Sequence, residues 1–98
     1  MSKENLSKVG EILDITQEEC GELVQIISKC KRFGLDQMHL KAGVTNRQRL
    51  TEEAGDVLCM IELAHEHGIV NFEEVAKASA NKRAKLKVWS NIFNEETV

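Results

Sequence analysis

The chain predicts an all-α fold. None of its 98 residues is proline, no stretch alternates apolar and polar residues as a strand does, and apolar residues instead recur every three or four positions. The expected arrangement is one long helix, a loop and two further helices, packed as a helical bundle that homo-oligomerisation completes. Residues 1–98 read as a single domain, without a low-complexity segment or an internal boundary.

The first helix is carried by Leu6, Val9, Leu13, Cys20, Leu23, Val24, Ile27 and Cys30 and runs from about residue 4 to Phe33, before Gly34. Asp14-Ile15-Thr16 is the place where it would bend. The next stretch, "GLDQMHLKAGVTN", holds two glycines and little periodicity and reads as a loop of about a dozen residues, a length at which loops are often functional. Asn46 or Thr45 can cap a second helix over about 47–67, which carries Leu50, Ala54, Val57, Leu58, Ile61 and Ala64 and stops at Gly68. Asn71 with Glu74 three residues on resembles a capping box. It opens a third helix through Phe72, Val75, Ala76, Ser79, Leu86, Trp89 and Phe93, leaving "NEETV" as a polar, frayed tail.

Sixteen acidic residues against thirteen basic ones give net charge -3, which argues against a nucleic-acid coat or an anionic membrane as the main partner. The N-terminal "MSKENLSKVGEILD" lacks the apolar centre of a signal peptide, and no run approaches the roughly 18–20 apolar residues of a membrane span. Cys20, Cys30 and Cys59 have no Cys-x-x-Cys spacing and sit inside apolar periodic segments. They read as reduced, buried packing residues of a cytoplasmic protein. A core this small is marginal alone, so self-association is expected.

Chemistry concentrates in two short stretches, "TQEECGELVQ" at 16–25 and "LTEEAGDVLC" at 50–59. On a helix, residues three apart differ by about 60° in direction, so Glu19 and Glu22 leave one side of the first helix, and Glu53 and Asp56 do the same on the second. If those helices pack antiparallel, four carboxylates converge, and like charges share a small volume only with a neutralising ion. An all-oxygen set favours a hard cation, magnesium first and manganese second. Glu18 and Glu52 flank the clusters and would hold a second ion or orient water. Gly21 and Gly55 cost roughly 1 kcal/mol each in mid-helix relative to alanine, and their matching places predict a close helix approach.

"EECGE" at 18–22 and "EEAGD" at 52–56 resemble the Glu-Glu-x-x-Glu and Glu-x-x-Asp signatures of the MazG-like all-alpha nucleoside triphosphate pyrophosphohydrolases. The resemblance runs from about residue 10 to 92 and takes in "KRFG" at 31–34, "TNRQRLTEEAGDVL" at 45–58 and "KASANKRAKLKVW" at 77–89. It implies hydrolysis of a nucleoside triphosphate to the monophosphate and pyrophosphate, magnesium held by Glu19, Glu22, Glu53 and Asp56, and a homodimer or a dimer of dimers. The two acidic pairs stand 30 residues apart, towards the long end for this family, which leaves the base pocket outside what the resemblance fixes.

Phosphoryl chemistry also needs donors for the phosphate oxygens. Lys77, Asn81 and Lys85 form one stripe of the third helix, joined by Lys82, and are the expected triphosphate grip. Lys31, Arg32 and Arg49 flank the loop within reach of phosphate. Glu18 or Glu52 is the proton acceptor, and the spacing does not choose between them. Phe33, Met38, His39 and Trp89 are candidates for the base, although Trp89 continues the apolar stripe and fits the core or a subunit contact better. Glu62 and His65 have the spacing of a di-iron bundle, but only one copy exists and it points away from the acids. No Gly-x-x-x-x-Gly-Lys phosphate loop is present. The alternative to an enzyme is a helical interaction module whose acids hold a structural cation.

Overall fold

A computed structural model of the chain describes residues 3–39, 41 and 43–94; Leu40, Ala42 and most of the "NEETV" tail lie outside them, as do the side chains of residues 3–7 and of His39. Three helices dominate: α1 spans Lys3–Phe33, α2 spans Asn46–Glu66 and α3 spans Phe72–Trp89. The fold is all-α, as the periodicity predicts.

The long first helix is unbroken through the expected bend. The Thr16 hydroxyl donates to the Ile12 carbonyl at 2.6 Å, which satisfies it within the helix. At the far end Gly34 takes φ +96° and donates its N–H to the Cys30 carbonyl, closing the last turn as a side-chain-bearing residue rarely can.

The segment read as loop carries two short strands among its described residues. Met38–His39 (β1) pairs antiparallel with Val44–Thr45 (β2), Met38 opposite Thr45 and His39 opposite Val44. Two-residue strands are too short for periodicity to reveal. What fixes the segment is polar: Asn46 is buried and donates from Nδ2 to the Gly34 carbonyl at 2.9 Å, while the N–H groups of Asn46 and Arg47 donate to Gln37 and Leu35 carbonyls. Arg47 also pairs with Asp36 at 3.0 Å on the surface and holds that carboxyl below the usual range. Asn46 therefore anchors the loop, and Thr45 is the cap of α2, exchanging hydrogen bonds with Gln48 in a full capping box.

The end of α2 follows expectation, with Gly68 at φ +74° just past His67. Asn71 caps α3 by accepting the Glu74 N–H at 3.1 Å, and His65 Nδ1 accepts the neighbouring Phe72 N–H at 3.1 Å. Helix α3 ends at Trp89 rather than near 93, because Ser90 caps it by binding the Leu86 carbonyl through both its N–H and its hydroxyl. Phe93 then folds back beneath the cations of Arg83 and Lys87.

Helices α1 and α2 form an antiparallel pair: Ile12 meets Met60 and Ala64, Glu19 meets Glu53, and Cys30 meets Asn46. Ile12, Met60 and Ala64, with Ile15, Leu63 and Ile69 against them, make the core, and Ile26 is buried further along. No large side chain among the described residues is completely buried. The radius of gyration, 17.2 Å, exceeds the roughly 13 Å of a compact chain this long, and the molecule measures 56 × 41 × 15 Å. Helix α3 lacks the extensive packing that joins α1 to α2.

Three packing expectations are corrected by this open shape. Cys20 and Cys59 are exposed and Cys30 is only partly covered, so the free thiols are not core residues. Trp89, 82 % exposed, is not in the protomer's core either. A Cβ added at Gly21 or Gly55 would meet nothing within 4 Å, so neither glycine marks a close approach within the chain.

Candidate metal centre

The antiparallel pairing of α1 and α2 brings the acidic stretches face to face. Glu19 and Glu22 stand one turn apart on α1, and Glu53 opposes them from α2; one carboxylate oxygen from each lies within 4.8 Å of the others. Glu19 and Glu53 are half-buried in the seam while Glu22 is exposed. The Oε2 atoms of Glu19 and Glu53 are shut away from water without a hydrogen-bond partner. Buried polar atoms are nearly always satisfied, so an orphaned pair of carboxylate oxygens is a place for a proton or a cation.

The electrostatics agree. Desolvation, followed by the charges of Glu22, Asp56 and Glu18, holds the Glu19 carboxyl above its ordinary value against a lowering hydrogen bond from Glu53. Glu53 is raised by desolvation, by the charge of Glu22 and a hydrogen bond with it, and then by Asp56 and Glu19. Neither carboxylate can donate while both are ionised, which is why the contact between them leaves the inner oxygens unsatisfied. Both carboxyls are raised chiefly because the seam is partly dry, and next because the negative charges of Glu22 and Asp56 stand close by. Asp56 is exposed and acts on both by its charge. Glu18 lies close enough to influence Glu19, whereas Glu52 is exposed on α2.

Beside the carboxylates is a recess of about 190 Å³ lined by Glu22, Gln25, Ile26, Lys29, Arg49 and Glu53. Its cations are Lys29 and Arg49. Arg49 is among the phosphate donors expected from the sequence; Gln25 and Lys29 are additional, and Lys29 follows Glu22 by seven residues, two helical turns along the same face. A second recess, about 330 Å³ and floored by Ile12, Ile15, Met60 and Leu63 with His67 at its rim, continues the seam on the other side of the acids.

The other expected phosphate donors lie elsewhere in the protomer. Lys77, Asn81, Lys82 and Lys85 are exposed on α3 and line no part of the acidic recess; Lys82 borders a separate hollow with Arg83, Leu86 and Phe93. Lys31 and Arg32 are exposed in the last turn of α1, where the Arg32 guanidinium lies 5.1 Å from the Phe33 ring centre. Of the base candidates, Phe33 and Met38 are exposed, and the His39 side chain lies outside the described residues. His65 is engaged with the start of α3 through Phe72, which accounts for it without a metal.

The family model for the MazG nucleotide pyrophosphohydrolase domain matches residues 8–87, a span that contains both acidic stretches, the basic recess and nearly all of α3. No curated protein and no solved structure matches the chain significantly. With most of its length inside that match, and Glu19, Glu22 and Glu53 brought together across α1 and α2, the chain belongs to the MazG nucleotide pyrophosphohydrolase family.

Proposed function

We propose that this chain hydrolyses a nucleoside or deoxynucleoside triphosphate to the monophosphate and pyrophosphate, with magnesium, or manganese in its place, held by Glu19, Glu22, Glu53 and Asp56. Control of the cellular nucleotide pool is the role this activity suits, in the cytoplasm. The observation that carries the reading is the pair of orphaned Oε2 atoms on Glu19 and Glu53, inside a three-carboxylate cluster built from two helices. A solvated acidic face would have left those oxygens to water. The donors are all carboxylate oxygens, which fits a hard divalent ion.

Bound there, the ion would neutralise the carboxylates and phosphate oxygens and make water a better nucleophile. The chain's own residues do the rest. Glu18 and Glu52, each one residue before a proposed ligand, would accept the proton of the attacking water. Lys77, Asn81, Lys82 and Lys85, with Lys31 and Arg32, are the outer phosphate donors, and α3 supplies its row when the assembly brings it to the seam.

A homodimer or homotetramer is part of the same proposal. Leu13, Cys20 and Ile27 each follow a seam residue of α1 by one position, as Ala54 and Leu58 do on α2; in antiparallel helices that offset turns both sets to one side of the pair. Val24, Leu58 and Leu13 are more than half exposed there, on the side away from Glu18, Glu22, Glu52 and Asp56. An apolar face on so thin a protomer is the kind that a second copy covers.

The test is a screen for pyrophosphate release over canonical and modified triphosphates with magnesium and then manganese. Release that stops in EDTA and in Asp56→Ala supports the reading. Orthophosphate as the sole product, or full activity in EDTA, defeats it.

A further inference from the structure

The acidic cluster sits between two unlike recesses. Towards the loop end of the seam, Lys29 and Arg49 line the smaller one; towards the other end, Ile12, Ile15, Met60 and Leu63 floor the larger. From Ile15 to Lys29 is fourteen residues of α1, about 20 Å at 1.5 Å per residue. One face of the α1–α2 pair therefore presents, in order, an apolar floor, a carboxylate cluster and a hollow in which Lys29 and Arg49 stand beside Glu22 and Glu53.

The two cations are available to a ligand. Among the described residues, neither Lys29 nor Arg49 makes a salt bridge, although both line a recess with Glu22 and Glu53. A cation placed only to neutralise those acids would pair with them. The hollow at about 190 Å³ is small and polar-walled, while the apolar recess at about 330 Å³ falls within the range of small-ligand sites.

Resting on the proposed hydrolase activity, we infer a direction for the substrate: the leaving pyrophosphate lies on Lys29 and Arg49, and the nucleoside lies over Ile15, Met60 and Leu63. Attack of water on the α-phosphorus forms one P–O bond and breaks the bond to the bridging oxygen, whose electron pair departs with pyrophosphate while the water's proton passes to a carboxylate. Charge accumulates on the departing group, at the end of the seam where the two free cations are. Arg49 offers a planar fork suited to two phosphate oxygens, and Lys29 a mobile point charge. The apolar floor holds the nucleoside by area, and Lys8, Glu11 and His67, which line the same recess, are the groups that can meet its polar edges.

Calorimetric titration of the magnesium-loaded protein with inorganic pyrophosphate and, separately, with nucleoside monophosphate tests this without turnover. Lys29→Ala and Arg49→Ala should each weaken pyrophosphate by about tenfold or more, the loss of a charge-assisted hydrogen bond, and leave monophosphate affinity unchanged. Ile15→Ala and His67→Ala should do the reverse. The melting-temperature rise produced by magnesium alone should survive in all four, showing that fold and metal site are intact. Unchanged pyrophosphate affinity in both cation variants, or a loss that falls on the monophosphate, overturns the assignment. Normal pyrophosphate release with unchanged affinities overturns the direction alone; no release, with Lys29-dependent pyrophosphate binding retained, overturns the hydrolase reading and leaves the subsite standing.

Discussion

Glu19 and Glu53 oppose each other across the α1–α2 seam, each with its Oε2 atom enclosed and unpartnered, and each with a carboxyl held above its ordinary value chiefly by desolvation. Two acids so placed oppose folding at neutral pH unless something positive joins them.

The sign of the pH dependence follows. A carboxyl that binds its proton more tightly in the folded chain gives that state more bound protons, so stability declines as pH rises from the reference value near 4.5 through the raised folded values. Metal-free protein should melt at progressively lower temperature over that window. Magnesium replaces the protons, so its stabilising effect should be small near pH 4.5 and grow with pH. Thermal melts across pH 4.5–8 in EDTA and in magnesium check this; a magnesium increment that does not change with pH would contradict it.

Glu53→Gln removes one of the opposed charges while keeping the shape of the side chain. The metal-free variant should melt higher than the parent at pH 7, because the repulsion is gone. Its magnesium affinity should fall by more than the roughly 10–100-fold typical of losing an outer-sphere partner, and pyrophosphate release with it. A gain in apo stability accompanied by loss of metal response separates a ligand from an ordinary surface acid, whose substitution would change neither.

These two predictions rest on residues that were legible from spacing alone. Glu19, Glu22 and Glu53 meet because the helical period puts Glu19 and Glu22 on one side of α1, facing Glu53 on α2, and the same period places α1, α2 and the start of α3 correctly. Asn46 was not legible in its role: it looks like a cap, but Thr45 takes the cap and Asn46 turns inward to Gly34, a contact twelve residues away that no local pattern encodes. Lys29 is hard to read from sequence for a different reason. The basic residues of α3 are dense in sequence, whereas Lys29 is a lone cation whose meaning comes from Arg49 on the other helix. Cys20 and Leu58 read as core because periodicity reports an apolar face without saying whether the same chain covers it.

Asn46→Ala should destabilise the protein by about 1–3 kcal/mol, since it removes a buried side chain and its hydrogen bond to the Gly34 carbonyl and frees the loop from α2. Asn71→Ala, an exposed cap, should cost about 1 kcal/mol. Chemical denaturation of the two variants measures both; equal costs would mean that burial of Asn46 adds nothing to its hydrogen bond.

His65→Ala separates the structural role of that residue from a metal role. The side chain accepts the Phe72 N–H and packs on its ring at 5.1 Å, so its loss should loosen the start of α3 and leave magnesium binding as it was. Hydrogen exchange should speed up at the first turn of α3, with the magnesium-induced melting shift unchanged. A reduced shift would place His65 within the metal centre after all.

Val24→Glu tests the assembly. Val24 is 66 % exposed on a face that also carries Leu13, Ile27 and Leu58, and the change adds a charge on the side of the α1–α2 pair away from the carboxylates. Within one protomer the substitution meets solvent, so helix content and magnesium binding by Glu19, Glu22 and Glu53 should persist. At an interface it buries an unpaired charge and should shift the protein to monomer by light scattering. Activity should fall together with the oligomer if a second copy brings the basic row of α3 to the seam, and survive in the monomer if Lys29 and Arg49 suffice. A variant with unaltered mass in solution would show that this face is not where copies meet.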